Sequence, residues 1–251
     1  MIAALATEYT KLVHASVVRA TTVILVLGIG LICSTMLLAT NTEDPQLAAK
    51  LGALIDPGGW AGYLTTAAQV TGAGGLLGTG VVLSWIFGRE FTEGTITGLF
   101  AIPVRRTTIA TAKLLVYFTW SVATSTALLT ALLILGLLFG LGPIPAEALP
   151  AIGRQFALTV LTAAIAIPAA WAATLGRSIL AGIGTTVGIL ILSQLTVITG
   201  AGAWTPFAAP ALWAISAGTE VSNLQLALIA PTVLAVAGLT AHTWHRLQLN
   251  R

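Results

Sequence analysis

Charge is what this sequence lacks most. Only 8% of its 251 residues are Asp, Glu, Lys or Arg, against roughly 25% in a soluble domain. Hydrophobic residues make up 57%, and the mean hydropathy is +0.96. Such a surface is excluded from water and suited to hydrocarbon. The single cysteine, Cys33, rules out an internal disulfide. A phosphate-binding loop of the form G-x-x-x-x-G-K-S/T is also missing, since none of Lys11, Lys50 or Lys113 follows a glycine. The chain therefore cannot hydrolyse ATP in the usual way. No Ser-His or metal-ligand constellation supports an enzyme within the membrane. His242 and His245 stand alone at a span end, short of the ligands a metal requires. Internal repeats are not visible. The net charge of +3 does not argue for nucleic acid, because the basic residues are few and sorted by membrane side.

What remains is a set of long uncharged runs. A helix needs about 20 apolar residues to cross the hydrocarbon. The runs predict an all-α polytopic protein with six spans, at about 20–39, 61–88, 114–140, 155–176, 178–199 and 221–244. The first run is long enough to span, so it is read as a retained helix and not a cleaved leader. Pro168 predicts a kink in the fourth span. Residues 200–219 carry Pro206 and Pro210, and predict a short broken or re-entrant helix on the outer side.

Orientation follows from the cations. With both termini in the cytoplasm, nine of the eleven fall inside: Lys11, Arg19, Arg89, Arg105, Arg106, Lys113, Arg177, Arg246 and Arg251. Only Lys50 and Arg154 fall outside, as the positive-inside rule expects. Glu43, Asp44, Asp56, Glu147 and Glu220 fall outside with them. Trp60, Trp204 and Trp213 mark the outer ends, and Trp85, Trp120, Trp171 and Trp244 the inner ends, as an aromatic belt does.

Two segments are not spans. On a helical projection of residues 2–19, Thr7, Glu8, Thr10, Lys11, His14 and Arg19 share one half. Ile2, Leu5, Ala6, Tyr9, Leu12, Val13 and Val17 share the other. This predicts an amphipathic helix lying in the interface with its charges in water, either an elbow that meets a partner or a plain anchor. The loop at 88–113 holds six of the nineteen charges. There Thr92 is expected to cap a short helix that Pro103 stops. Ile96, Leu99, Phe100 and Ile102 make that helix too apolar to float free, so it needs lipid or a protein groove. Arg105, Arg106 and Lys113 are expected to restart the chain at the membrane.

The run Glu90-x-x-Glu93-Gly94-Thr95, followed by Pro103-x-Arg105 and Ala112-Lys113, resembles the ABC-2 type transporter permease family. The specific part covers about 25 residues, while the topology resembles the family throughout: elbow helix, six spans, and a long outer segment after the fifth. The resemblance implies a type V exporter fold. In it, two permeases, identical or homologous, pair within membrane lipid and are driven by two cytoplasmic ABC ATPase subunits that bind ATP and Mg. It also implies that the loop at 89–106 is a coupling helix docking on the ATPase. The residues concerned are Glu90, Glu93, Gly94, Thr95, Leu99, Phe100, Pro103, Arg105 and Arg106. Independently, Glu90 and Glu93 can pair with a partner's cations or locally with Arg89. The family's substrates are mostly lipophilic drugs, antimicrobial peptides, lipids or polysaccharides.

Small residues crowd two spans: Gly72, Gly74, Gly75, Gly78 and Gly80 in the second, and Gly182, Gly184 and Gly188 in the fifth. Such spacing lets helices approach closely, within one subunit or between two. In related exporters these spans line the cavity between subunits. The resemblance thus places the substrate path along Thr71, Thr79, Ser84, Thr185, Ser193, Gln194 and Thr196. Gln194 leads this set, because an amide in the membrane needs a partner, whether substrate or a neighbouring helix. No ionisable residue occupies the middle of a span, which speaks against an ion-coupled carrier. The expectation is a permease in the bacterial plasma membrane that exports an amphipathic or lipophilic molecule. The alternatives are a carrier or channel, or an anchor or sensor without transport.

Overall fold

The computed structural model describes residues 1–40, 59–101 and 103–248. Glu43, Asp44, Lys50, Asp56, Ile102 and Arg251, each placed above by sequence, lie outside the described residues. Among those described, six helices are long and apolar enough to cross a membrane. They are span one Ser16–Ala39, span two Gly59–Thr92, span three Arg106–Leu138, span four Ala146–Leu175, span five Ile179–Ile198 and span six Asn223–Arg246.

Each boundary has a local cause. The N-terminal helix runs only Ile2–His14, because Ala15 turns extended at φ −72, ψ 124. The single helix expected over 2–19 is thus two, and Arg19 belongs to span one. Span four breaks after Ile165 and resumes at Pro168, as the missing proline N–H requires. Spans four and five are joined by three residues. Arg177 takes the left-handed conformation there at φ 49, and the Ser178 side chain caps span five by accepting from the Leu180 N–H. Span six begins with a capping box between Ser222 and Gln225.

Spans two and three are 34 and 33 residues long. At 1.5 Å per residue each is roughly 50 Å, well beyond the roughly 30 Å of a hydrocarbon core. Span three starts at Arg106, earlier than expected, so the surplus of both helices lies at the charged end. The loop between them carries a short helix, Ile96–Ala101. Thr92 does not cap it: it is the last residue of span two and its hydroxyl donates to the Gly88 carbonyl.

Within span two, the segment Leu76–Thr92 packs most extensively on span five. Glycines permit this approach. A Cβ on Gly80 would strike Thr186, one on Gly182 would strike Ser84, and one on Gly88 would sit 2.7 Å from the Ile179 nitrogen. The glycine cluster of span two also widens into a π-turn at Thr71–Gly75, which frees backbone for polar contacts. Gln155 Nε2 donates to Thr71 Oγ1 there at 2.9 Å. The segment after span five forms a short helix, Ala209–Ile215. Its Ala211 lies against Gly72, roughly 20 Å along span two from its start, and Ala214 packs on Ala68 and Leu158.

Candidate coupling site

The charged end of the bundle holds a buried ion quartet. Lys113, fully buried seven residues into span three, donates to Glu90 Oε1 at 2.7 Å, Glu8 Oε2 at 2.9 Å and the Ile86 carbonyl at 2.9 Å. Its three donors are thereby satisfied. Lys11 completes the set, at 2.8 Å from Glu8 Oε1 and 3.1 Å from Glu90 Oε1. Two cations face two anions, so the group is neutral. Burial alone would lower the Lys11 ammonium pKa, but the carboxylates of Glu8 and Glu90 reverse this and hold it above its ordinary value. Glu90 Oε2 has no protein partner. Beside the quartet lies a cavity of about 10 Å³, lined by Glu8, Lys11, Arg89 and Lys113, enough for one bridging water.

This arrangement corrects three expectations. Glu8 does not face water, being 6% exposed, and Lys11, with a 27% exposed side chain, turns its ammonium inward to Glu8 and Glu90. Lys113 does not restart the chain at a surface, since span three begins at Arg106 and Lys113 is buried within the bundle. Glu90 is 2% exposed, its carboxylate engaged by two ammonium groups, so it offers nothing to an external partner.

The loop helix is likewise fastened to its own chain. Trp244, fully buried at the end of span six, is met edge-on by Phe87, Phe91 and Phe100 with centroids 5.9–6.4 Å apart. Its Nε1 donates to Thr174 Oγ1 at 3.0 Å. Ile96 is buried, and Leu99 and Phe100 pack on the core. Arg106 stacks over the Phe100 ring at 4.2 Å and donates to the Leu247 carbonyl. The groove that the apolar loop residues need is therefore supplied by this chain. Leu99, Phe100 and Arg106 act from inside and hold the loop in place.

What the loop presents outward is polar and small. Thr92, Glu93, Gly94, Thr95, Thr97, Gly98, Pro103 and Arg105 are exposed. Glu93 pairs locally with Arg89 at 3.2 Å and keeps a 48% exposed side chain. Gly94 turns the chain at φ +71 with no atom near its Cβ direction. Of the nine residues expected to couple, five (Glu93, Gly94, Thr95, Pro103 and Arg105) share this outer tip.

The seven path residues do not line one cavity. Thr71, Thr79, Ser84 and Ser193 are buried. Thr71 is tied to Gln155, and the other three donate to carbonyls of their own helices. Thr185 and Thr196 are half-buried. Gln194 alone is exposed, on the open side of span five, where Gly184 and Gly188 also meet nothing. Sequence reasoning misses Gln155, 1% exposed with its Oε1 unpartnered. It also misses Trp244 as the seat of the loop. A glutamine near the start of a span, like a tryptophan near an end, carries no local mark of its partner.

A family model described as ABC-2 family transporter protein matches residues 4–193, which includes the quartet and the loop. No curated protein and no solved structure gives a match. A membrane transport component of ABC type that associates with ABC ATPases follows from that match, in keeping with six membrane-length helices. The chain belongs to the ABC-2 type transporter permease family.

Proposed function

We propose that this chain is the permease subunit of an exporter whose ATPase is a separate pair of chains binding ATP and Mg, and that the tip around Glu93, Gly94, Thr95, Pro103 and Arg105 receives those ATPases. The observation that carries this is the contrast within the loop. Its apolar side is clamped by Trp244 and Arg106, and its polar side stands free at the end of a long helical hairpin. A push on the tip passes into spans two and three as rigid bodies. The quartet carries it on to the N-terminal helix. The protein sits in the plasma membrane with both termini in the cytoplasm, which puts the tip beside the nucleotide-binding partners.

Spans two and five are already in close contact within one chain, so the substrate moves along the open face of span five. Gln194 lies there, with Ile191 and Ile198 on the same helical face, opposite a second copy or a homologous permease, while Thr185 and Thr196 stand half-buried on the other side of the helix. The lining is neutral and largely apolar, with Ile191, Leu195 and Ile198 exposed. This suits an amphipathic or lipophilic drug, peptide or lipid.

Affinity purification from native membrane in mild detergent, with mass spectrometry and an ATPase assay, tests the reading. A phosphate-loop ATPase in about equal amount, whose hydrolysis persists while transport is lost in Glu93→Lys, is the expected result. Recovery of the chain alone under several gentle conditions overturns it.

A further inference from the structure

A second feature lies at the same end of the bundle, between the ends of spans four and six. A cavity of about 470 Å³ opens there, lined by Arg177, His242 and Arg246 together with Leu175, Thr243 and Gln248. No acid lines it. Among the described acids, Glu8 and Glu90 are held in the quartet and Glu93 faces Arg89. Glu147, in the first turn of span four, and Glu220, on the connection before span six, lie at the opposite end. Arg246 is exposed and makes no hydrogen bond or ion pair within the described residues.

The walls are built. Arg177 donates to the Gln248 carbonyl at 2.7 Å, closing the cavity across from span six. It does so from a left-handed backbone, φ 49, a conformation that glycine adopts without cost and arginine does not. Trp171 Nε1 donates to Thr243 Oγ1 at 3.1 Å and fixes the floor.

The polarity is graded along span six. On span six, Leu239, His242, Thr243 and Arg246 share one face at helical spacing. Arg246 stands at the helix end, and Leu239, 47% exposed, lies about two turns deeper. Leu175, 56% exposed, flanks the cavity on span four. Cations at headgroup depth over exposed leucines match an anionic amphiphile: phosphate at the top, acyl chain below.

We propose that this cavity binds the phosphate headgroup of an anionic phospholipid, with His242 and Arg246 as donors and an acyl chain over Leu239. The assignment depends neither on transport nor on which leaflet the charged end faces.

The test uses the full chain, delipidated in neutral detergent and titrated with phosphatidylglycerol or phosphatidylcholine, with bound lipid counted by native mass spectrometry. Each basic side chain near a headgroup contributes about fivefold, so phosphatidylglycerol should bind roughly tenfold to thirtyfold more tightly. Arg246→Gln should remove about fivefold of that preference, and Arg246→Gln with His242→Gln should remove most of it. Arg154→Gln, at the other end, should leave it unchanged. Arg177 also holds the backbone, so the two span-six residues alone carry the test. Equal binding of the two lipids overturns the proposal, as does a preference that survives both span-six variants. Competition by inorganic phosphate at matching concentration would make it an anion site without lipid. Release of a co-purified ATPase by Arg246→Gln, with lipid binding intact, would give the cavity to the partner. Either result overturns the proposal as stated.

Discussion

Glu90 and Glu93 lie within one helical turn of each other at the end of span two, yet they belong to different regions. Glu90 points into the bundle, where Lys113 and Lys11 neutralise it out of reach of solvent. Glu93 points away, half-exposed, and among the described residues it forms an ion pair with Arg89 alone. One carboxylate is part of the frame and the other is part of the exposed tip. A loop that looks like a single functional motif is thus divided by the helix turn into an inner half that holds and an outer half that is available.

The sharpest way to break this division is to remove a charge from the frame. Lys113→Ala leaves Glu90 and Glu8 buried without their shared cation and should destabilise the protein by about 3–5 kcal/mol. Thermal or denaturant unfolding in detergent would measure it. Pairing Lys113→Met with Glu90→Leu removes both charges and leaves Glu8 with Lys11. That variant should recover much of the loss, since an apolar pair of similar volume is often tolerated where a broken ion pair is not.

A steric change comes next. Gly88→Ala sets a Cβ 2.7 Å from the backbone nitrogen of Ile179, and neither partner can rotate away. An overpacking cost of about 1–3 kcal/mol is expected. Gly94→Ala meets no atom at all, but it must hold φ +71, so its cost is about 1 kcal/mol and comes from the backbone alone. If Gly94→Ala proves as damaging as Gly88→Ala in the isolated protein, the tip is more tightly packed than its open surroundings allow.

The smallest stability effects belong to the outer surfaces. Glu93→Gln removes a half-exposed ion pair and should change stability by less than about 1 kcal/mol, while lowering the coupling of hydrolysis to transport. Gly184→Ala points into open space and should stay within about 0.5 kcal/mol in the monomer. A loss of permease pairing in that same variant, read by cross-linking or light scattering, would place a second copy against this face.

Much of the fold is legible in the sequence. Six spans, the interruption at Pro168 and the short helix in the outer segment all follow from uncharged length and proline position. The errors cluster where charges meet across the chain. An isolated helix turns Glu8 and Lys11 toward water, and the projection of residues 2–19 can say no more than that. Lys113 lies 105 residues from Glu8 and 23 from Glu90, so neither pairing leaves a local pattern. The loop motif does not reveal that Leu99, Phe100 and Arg106 serve the frame. Three of the expected path residues, Thr79, Ser84 and Ser193, are spent inside the bundle for a related reason. Threonine and serine in a span satisfy themselves on the carbonyl one turn back, so their presence does not mark a lining.

By itself the sequence determined that the chain forms six helices long and apolar enough to cross a bilayer, and the stretch of chain in which each lies. Hydrocarbon satisfies no backbone hydrogen bond, and so every apolar run of sufficient length must close its own as a helix. Only the tertiary structure decided which charges pair and which glycines are closed against a neighbour. It also decided which side of the loop is left for a partner. Those outcomes depend on which helices stand side by side, and the periodicity of one helix holds no information about the face of another.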